Sequence, residues 1–244
     1  MAAVDRREFL AKLTLTTGGL LLLPLAASCG GGSEDVTDVA DAGTPEPTEP
    51  TGPAEPVATP EPAKALPAVP LVEPDGWDPI AFNKVRGNAG AIPESYHASI
   101  NGPDGESAHL GKHLPFVPEV DASVVPAGML ALMWGDPAKG NARHPNTAKD
   151  DPKYPKGHFY DWVRVRKATE GDAEEVETGF SGWPEKGEGA TGDFAVFGGG
   201  AITDEGGKNT IYLVKLPADV APGDRIRIHA HCLYHGEYVD FLTL

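Results

Sequence analysis

The sequence is short of cysteine, methionine and basic residues. Among its 244 residues there are two cysteines, Cys29 and Cys232, and three methionines. Two cysteines exclude a disulfide-rich scaffold and a four-cysteine metal cluster. Twenty Lys and Arg stand against 36 Asp and Glu, a formal net charge of −16. Because nucleic-acid-binding proteins neutralise phosphates with clustered Lys and Arg, this balance predicts no nucleic-acid partner.

Two common catalytic signatures are also missing. The chain has no G-x-S-x-G motif of the kind that presents a nucleophilic serine. Gly198-Gly199-Gly200 is not followed by the Lys and Ser/Thr that a phosphate-binding loop needs. The sequence therefore gives little support to a catalytic triad and shows no P-loop.

Residues 1–29 have the pattern of an export signal. Arg6-Arg7 precedes an apolar run that is too short and too interrupted to be a stable membrane-spanning helix. The pair resembles a twin-arginine signal, and Leu25-Ala26-Ala27-Ser28-Cys29 resembles a bacterial lipoprotein box. The resemblance implies lipidation of Cys29, a membrane anchor and a location outside the cytoplasmic membrane. An ordinary secretory signal with plain cleavage is the alternative.

Composition divides the rest of the chain at about residue 73. Residues 30–72 are rich in Pro, Glu, Thr, Ala and Gly and contain no aromatic residue. Such a segment buries too little apolar surface to offset its ordering entropy, so a disordered tether is predicted. All four Trp, all six Tyr and all eight His lie in residues 73–244. These residues are predicted to form one folded domain.

Short strand patterns dominate the predicted domain. Apolar or alternating runs occupy residues 129–134, 158–166, 211–216 and 224–228, with Gly- and Pro-rich turns between them. Val163 and Val165 are expected on one face of their strand, with Arg164 and Arg166 on the other. No long stretch carries a helical apolar stripe. The sequence therefore predicts an all-β protein, an immunoglobulin-like antiparallel β-sandwich without helices.

A cluster of histidines near the C-terminus indicates a metal site. Cys232-Leu233-Tyr234-His235-Gly236 places a thiol and an imidazole three residues apart, and Gly236 permits a sharp turn afterwards. A thiolate combined with imidazole suits zinc, copper or iron about equally.

Three further blocks narrow the choice of metal. They are Lys112-His113-Leu114-Pro115, His144-Pro145 and His158-Phe159-Tyr160-Asp161-Trp162-Val163. Together with Cys232-x-x-His235-Gly236, and in this order, they resemble the iron-binding domain of superoxide reductases, the desulfoferrodoxin and neelaredoxin family. The resemblance spans about residues 111–240.

The resemblance implies one mononuclear, non-haem iron (Fe²⁺/Fe³⁺) that reduces superoxide to hydrogen peroxide. Its ligands would be four imidazoles and one axial thiolate, with the opposite position open for substrate: His113, His144, His158, His235 and Cys232. Lys112 matches the family's lysine beside the open position, where an ammonium would attract the superoxide anion. An external electron-donor protein would re-reduce the iron, and a homo-oligomer is left open.

The chain departs from the family pattern at three places. Gly111 stands where a Glu often caps the oxidised iron, so another ligand, water or hydroxide is expected there. Residues 148–157 make the spacer between His144 and His158 longer than in the family. This loop could control access to the iron, bind a partner protein, or be a solvated loop without a role. Leu233 replaces the usual Asn after the cysteine and is expected to alter hydrogen bonding near the sulfur.

Two alternative functions remain at this point. A cupredoxin-like copper carrier would also be a sandwich, but it normally has an axial Met after its last His, and none follows Cys232. A non-catalytic metal-binding sandwich lipoprotein is the other. Four histidines match no block: His97, His109, His229 and His231. His229 and His231 are expected on the same face of a strand. They would either donate hydrogen bonds to the metal ligands or be ordinary polar residues of that strand.

Overall fold

The computed structural model describes residues 65–184 and 192–244. The predicted signal sequence, Cys29 and most of the predicted tether lie outside these ranges. None of the helices in the described part is long and apolar enough to cross a membrane.

Within residues 65–184 and 192–244, eight strands form two antiparallel four-stranded sheets. Their bounds are β1 Pro115–Phe116, β2 Met129–Trp134, β3 Tyr160–Lys167, β4 Glu175–Gly179, β5 Phe194–Val196, β6 Thr210–Lys215, β7 Arg225–Cys232 and β8 Gly236–Thr243. One sheet has the strand order β1-β2-β6-β5 and the other β4-β3-β7-β8. The predicted antiparallel β-sandwich is confirmed, and the four predicted strand runs coincide with β2, β3, β6 and β7.

The first sheet is covered on both faces, and this explains why β2 has a continuous apolar run. Leu130, Leu132 and Trp134 join the main core, which lies between the sheets. Ala131 and Met133, on the opposite face, join a second apolar cluster. A strand that is buried on both faces has no need of alternating polar residues.

In the second sheet, β3 and β7 alternate apolar residues that face the core with polar residues on the outer face, some of which are also buried. Val163 and Val165 of β3 are fully buried in the core, as expected from the sequence. In β7, Ile226, Ile228 and Ala230 point the same way, and so does Cys232. A register shift between Tyr160 and Trp162 bends the start of β3, next to the end of β7.

Residues 79–113 contain short helices, and the expectation of a domain without helices was wrong here. The α-helices are α1 (Pro79–Arg86) and α2 (His97–Asn101). Asp78 caps α1, since its side chain accepts a hydrogen bond from the N–H of Ala81 at 3.0 Å. Helices of eight and five residues are too short to show an apolar stripe in the sequence.

Helix α1 covers part of the free edge of the second sheet, at β8. The Asn83 side chain is fully buried and donates to the carbonyl of Val239 at 2.8 Å. Its amide oxygen also accepts from the N–H of Val239 at 2.8 Å. This pair of bonds satisfies an edge-strand residue that would otherwise present unpaired backbone groups.

Replacing Asn83 with leucine is expected to destabilise the domain by about 2–3 kcal/mol, because both backbone groups of Val239 would be buried without partners. Chemical denaturation measures this change. Asn88→Leu is the matched control, since Asn88 is exposed and its side chain exchanges hydrogen bonds with that of Asn101 at the surface. Equal stabilities for the two variants would contradict the role assigned to Asn83.

The last residues of the predicted tether lie against the domain. The carbonyl of Pro67 accepts a hydrogen bond from Arg86 at 2.5 Å, and that of Pro70 accepts one from Arg227 at 3.1 Å. Glu73 forms an ion pair with Arg225. Contacts with the sandwich therefore begin before residue 73.

Candidate metal centre

The five residues predicted as ligands come from four separate parts of the chain. His113 ends a short 3-10 turn (Gly111–His113), and His144 lies in the loop after β2. His158 directly precedes β3, Cys232 ends β7, and His235 lies in the turn to β8. All five are buried, and His235, at 5 % exposure, is the most accessible.

The structure brings these five side chains together at one end of the sandwich. One donor atom from each lies within 4.8 Å of every other. His235 Nδ1 is at the centre, 3.1 Å from His113 Nε2 and 2.9 Å from His158 Nε2. Cys232 Sγ lies 3.5 Å from His235 Nδ1 and 3.6 Å from His144 Nε2.

These separations fit a single metal ion. With metal–nitrogen bonds of about 2.1 Å at right angles, neighbouring donors lie about 3.0 Å apart and opposite ones about 4.2 Å. The measured contacts of 2.9–3.6 Å fall close to the first value, and the outer limit of 4.8 Å is slightly above the second. The cluster could therefore hold a metal ion after only small adjustments.

One ligand ring is held in the orientation that metal binding needs. The Nδ1–H of His113 donates to the carbonyl of His109 at 2.6 Å, which leaves the lone pair on Nε2 facing the cluster. The ring of Tyr238 stacks on His113 with centroids 4.4 Å apart and planes 6° apart. Similarly, Tyr154 stacks on His158 at 4.5 Å.

Burial keeps the imidazoles neutral. It is the main cause that lowers the pKa of His158 to about 3 and that of His235 to about 2. Burial, together with neighbouring imidazoles, also holds the pKa values of His113 and His144 well below the usual range. Neutral imidazole is the form that binds metals, so the four rings are ready to act as ligands near neutral pH.

The sulfur of Cys232 is in a different electrostatic position. Burial raises the pKa of its thiol to about 12, although the N–H groups of Tyr234 and His235 point at the sulfur and act in the opposite direction. Without a cation the group is therefore a thiol. Because a metal binds the thiolate, metal binding is expected to release one proton.

The lowered pKa values of the buried imidazoles predict a pH-dependent stability of the metal-free protein. Below pH 6.5, the ordinary pKa of histidine, these imidazoles take up protons in the unfolded chain but not in the folded protein. The free energy of unfolding should therefore fall as the pH drops toward 3. Each such imidazole contributes about 1.4 kcal/mol per pH unit. Denaturation curves from pH 7 to pH 4 measure the slope. His158→Gln should make it shallower, and a slope that this variant leaves unchanged would contradict the assignment.

Two ammonium groups lie within electrostatic reach of the cluster. Lys112, in the turn that carries His113, contributes to the lowered pKa values of all four imidazoles. Lys153 acts on His158 and His235 in the same direction. The sequence motifs predicted a role for Lys112, whereas Lys153 lies in the longer spacer, residues 148–157.

The structure gives reasons for two of the three departures from the family pattern. A Cβ at Gly111 would lie 2.0 Å from Asn141 Oδ1 and 2.9 Å from the carbonyl of Glu106, so this position has no room for a side chain. Leu233 donates its backbone N–H to the carbonyl of Phe159 at 3.0 Å. The bonds that reach the sulfur come from the next two backbone N–H groups.

The longer spacer lies directly beside the cluster. His158 and Thr147 exchange backbone hydrogen bonds of 2.9 Å, which close residues 148–157 into a loop. Tyr154 covers His158, and the Tyr234 hydroxyl donates to the carbonyl of Lys153 at 3.2 Å. A cavity of about 320 Å³ lies between this loop and Tyr96, whose ring is 4.5 Å from that of His235.

The other histidines are not among the five clustered residues. On the outer face of the second sheet, His229 contacts Glu237 at 3.0 Å and His231 contacts Asp161 at 2.6 Å. His97 bonds to the carbonyl of Ile92 at 3.1 Å. His109 is buried beside the cluster, and no sequence motif had indicated its importance.

The described residues thus include one buried group of four imidazoles and one thiol that could bind a metal ion. Nitrogen and sulfur donors favour a transition metal over Mg²⁺ or Ca²⁺, which take oxygen ligands. No protein-family model, curated protein or solved structure matches this chain. Membership of a family therefore stays a prediction from the sequence motifs.

Proposed function

We propose that the protein is a superoxide reductase with one non-haem iron. The observation that carries the proposal is the convergence of four imidazoles and a single thiol, from the four blocks of the superoxide reductase pattern, within 4.8 Å. The reaction is superoxide plus one electron and two protons giving hydrogen peroxide. Bound Fe²⁺ would supply the electron, and an external donor protein would then reduce the oxidised iron again.

The donor set favours iron over zinc and copper. Structural zinc takes four tetrahedral ligands, one fewer than the five gathered here. A blue-copper site has two imidazoles, a thiolate and a weak axial methionine. The two methionines in the described part lie on β2, where Met133 packs in the second apolar cluster, which contains none of the five residues.

The protein's own groups prepare the site for a small anion. The imidazoles are neutral, so they leave the positive charge of the ion largely uncompensated and the thiolate cancels only one unit of it. Lys112 and Lys153 add positive charge near the cluster in a chain with a net charge of −16. The N–H groups of Tyr234 and His235 stabilise negative charge on the sulfur.

Lys112→Ala is expected to slow the capture of superoxide by about 10-fold at low salt and by less at high salt, because the ammonium attracts the anion through a field that salt screens. Pulse radiolysis at several ionic strengths measures the rate. Lys215→Ala is the matched control. Lys215 is exposed, and its partner Met129 begins β2, whereas the loop that carries His144 follows the other end of that strand. Equal rates for both variants would contradict the role of Lys112.

The N-terminal sequence supports an extracytoplasmic setting for this activity. The twin-arginine-like pair and the lipoprotein box ending at Cys29 suggest export and attachment to a membrane surface. A reductase there would remove superoxide outside the cytoplasm, and its electron donor would have to reach the same compartment.

The products of the reaction test the proposed function. Anaerobic protein loaded with Fe²⁺ should convert each superoxide into one hydrogen peroxide, oxidise one iron and release no O₂. Dismutation would instead give one peroxide and one O₂ from two superoxide ions. Failure to bind iron, or O₂ formed alongside peroxide, would overturn the proposal; a copper-loaded protein inert toward superoxide would favour the carrier.

A further inference from the structure

His109 lies at the centre of a buried chain of hydrogen bonds that ends at the metal cluster. Its ring is 4 % exposed. Ser99 Oγ lies 3.1 Å from His109 Nδ1, and His109 Nε2 lies 3.1 Å from the Tyr238 hydroxyl. Tyr238 in turn donates to the carbonyl of His235 at 3.1 Å.

Hydrogen counting gives each bond in this chain one direction. The Tyr238 hydroxyl has a single hydrogen, which it donates to His235, so its oxygen must accept from the Nε2–H of His109. A neutral imidazole then has its lone pair on Nδ1, which accepts from Ser99. Burial and the nearby Lys112 lower the pKa of His109 to about 4, in agreement with a neutral ring.

The same residue also supports a second ligand, His113. Its backbone carbonyl accepts the Nδ1–H of His113 at 2.6 Å. The ring of Tyr238, which His109 fixes through the hydroxyl, stacks on His113 with a centroid distance of 4.4 Å. His109 therefore contacts the supports of two ligands, His113 and His235, that lie 122 positions apart in the sequence.

We infer that His109 is a positioning residue that holds His113 and His235 in the geometry the metal requires, acting through its carbonyl and through Tyr238. This inference rests on the proposed metal site. It assigns a role to a histidine that belongs to none of the sequence motifs, and it makes the Ser99–His109–Tyr238 chain part of the metal centre.

The test compares Fe²⁺ binding by four full-length variants. His109→Leu removes the Nε2–H and should weaken Fe²⁺ affinity by about 10- to 100-fold, with a shifted iron reduction potential. Tyr238→Phe keeps the stacked ring and should shift both quantities in the same direction. His109→Gln, whose amide N–H can still reach Tyr238, should restore most of the affinity. His231→Leu is the matched control and should bind Fe²⁺ like the unaltered protein.

A metal-free measurement separates failure of this inference from failure of the proposed function. Nitrogen NMR of the imidazoles should show His113 protonated at Nδ1, and His109→Leu should move the His113 and His235 signals without moving that of His231. If the unaltered protein binds no iron, the proposed function fails and the NMR result still decides the inference. Unchanged affinity, potential and ring signals in both His109→Leu and Tyr238→Phe would overturn it.

Discussion

Cys232→Ser is expected to abolish the thiolate-to-iron absorption band and to reduce iron affinity and superoxide reduction by at least about 100-fold, more than the loss typical of residues that only support ligands. The thiol is fully buried and is the one sulfur among the five donors. A serine hydroxyl is a poorer ligand and cannot supply the electron density that a thiolate gives to iron. Absorption spectra and chelator competition measure the two effects.

The other cysteine of the chain provides the control for this prediction. Cys29→Ser removes the other cysteine sulfur from a region that contains no predicted ligand. Iron bound by that variant should keep its band and its affinity. A band that survives in Cys232→Ser, or that disappears in Cys29→Ser, would contradict the assignment of the sulfur ligand.

His235→Gln is expected to have the second largest effect. His235 Nδ1 contacts the donor atoms of His113, His158 and Cys232 at 2.9–3.5 Å, more than any other member of the cluster. Its loss removes a ligand and opens the centre of the cluster, so iron affinity should fall by about 100-fold or more. A denaturation curve checks that the variant still folds.

The matched variant for His235→Gln is His231→Gln. Both histidines flank Cys232, but His231 belongs to the outer face of β7 and pairs with Asp161. Chelator competition should therefore show normal iron binding in His231→Gln. If the two variants lose iron equally, the effect comes from disturbance of the β7–β8 turn rather than from ligation.

Much of the site could be predicted because its residues lie in short local motifs. The spacing of Cys232 and His235 indicated a metal site, and the resemblance of all four blocks, in their order, to the superoxide reductase pattern added His113, His144 and His158. The supporting groups could not be found in this way. Tyr238 is 129 positions from His109, and only the folding of β8 against residues 105–113 makes them neighbours.

Two further features depend on packing that no local pattern encodes. A side chain at Gly111 would meet the backbone carbonyl of Glu106 and also the side chain of Asn141, which lies thirty positions later. Helix α1 was not predicted because it has no apolar stripe. Its eight residues contact the edge strand β8 through hydrogen bonds of the polar Asn83 side chain. Strands β2, β3, β6 and β7 could be predicted because their apolar or alternating runs are long enough to show in the sequence.

The most direct test is X-ray absorption spectroscopy at the iron edge of the purified, iron-loaded protein. If the five side chains surround one ion, the spectrum should show a single sulfur and four nitrogen neighbours, and the sulfur should vanish in Cys232→Ser. A first coordination sphere of oxygen alone, or a sulfur signal that is unchanged in that variant, would contradict a centre built from residues 113, 144, 158, 232 and 235.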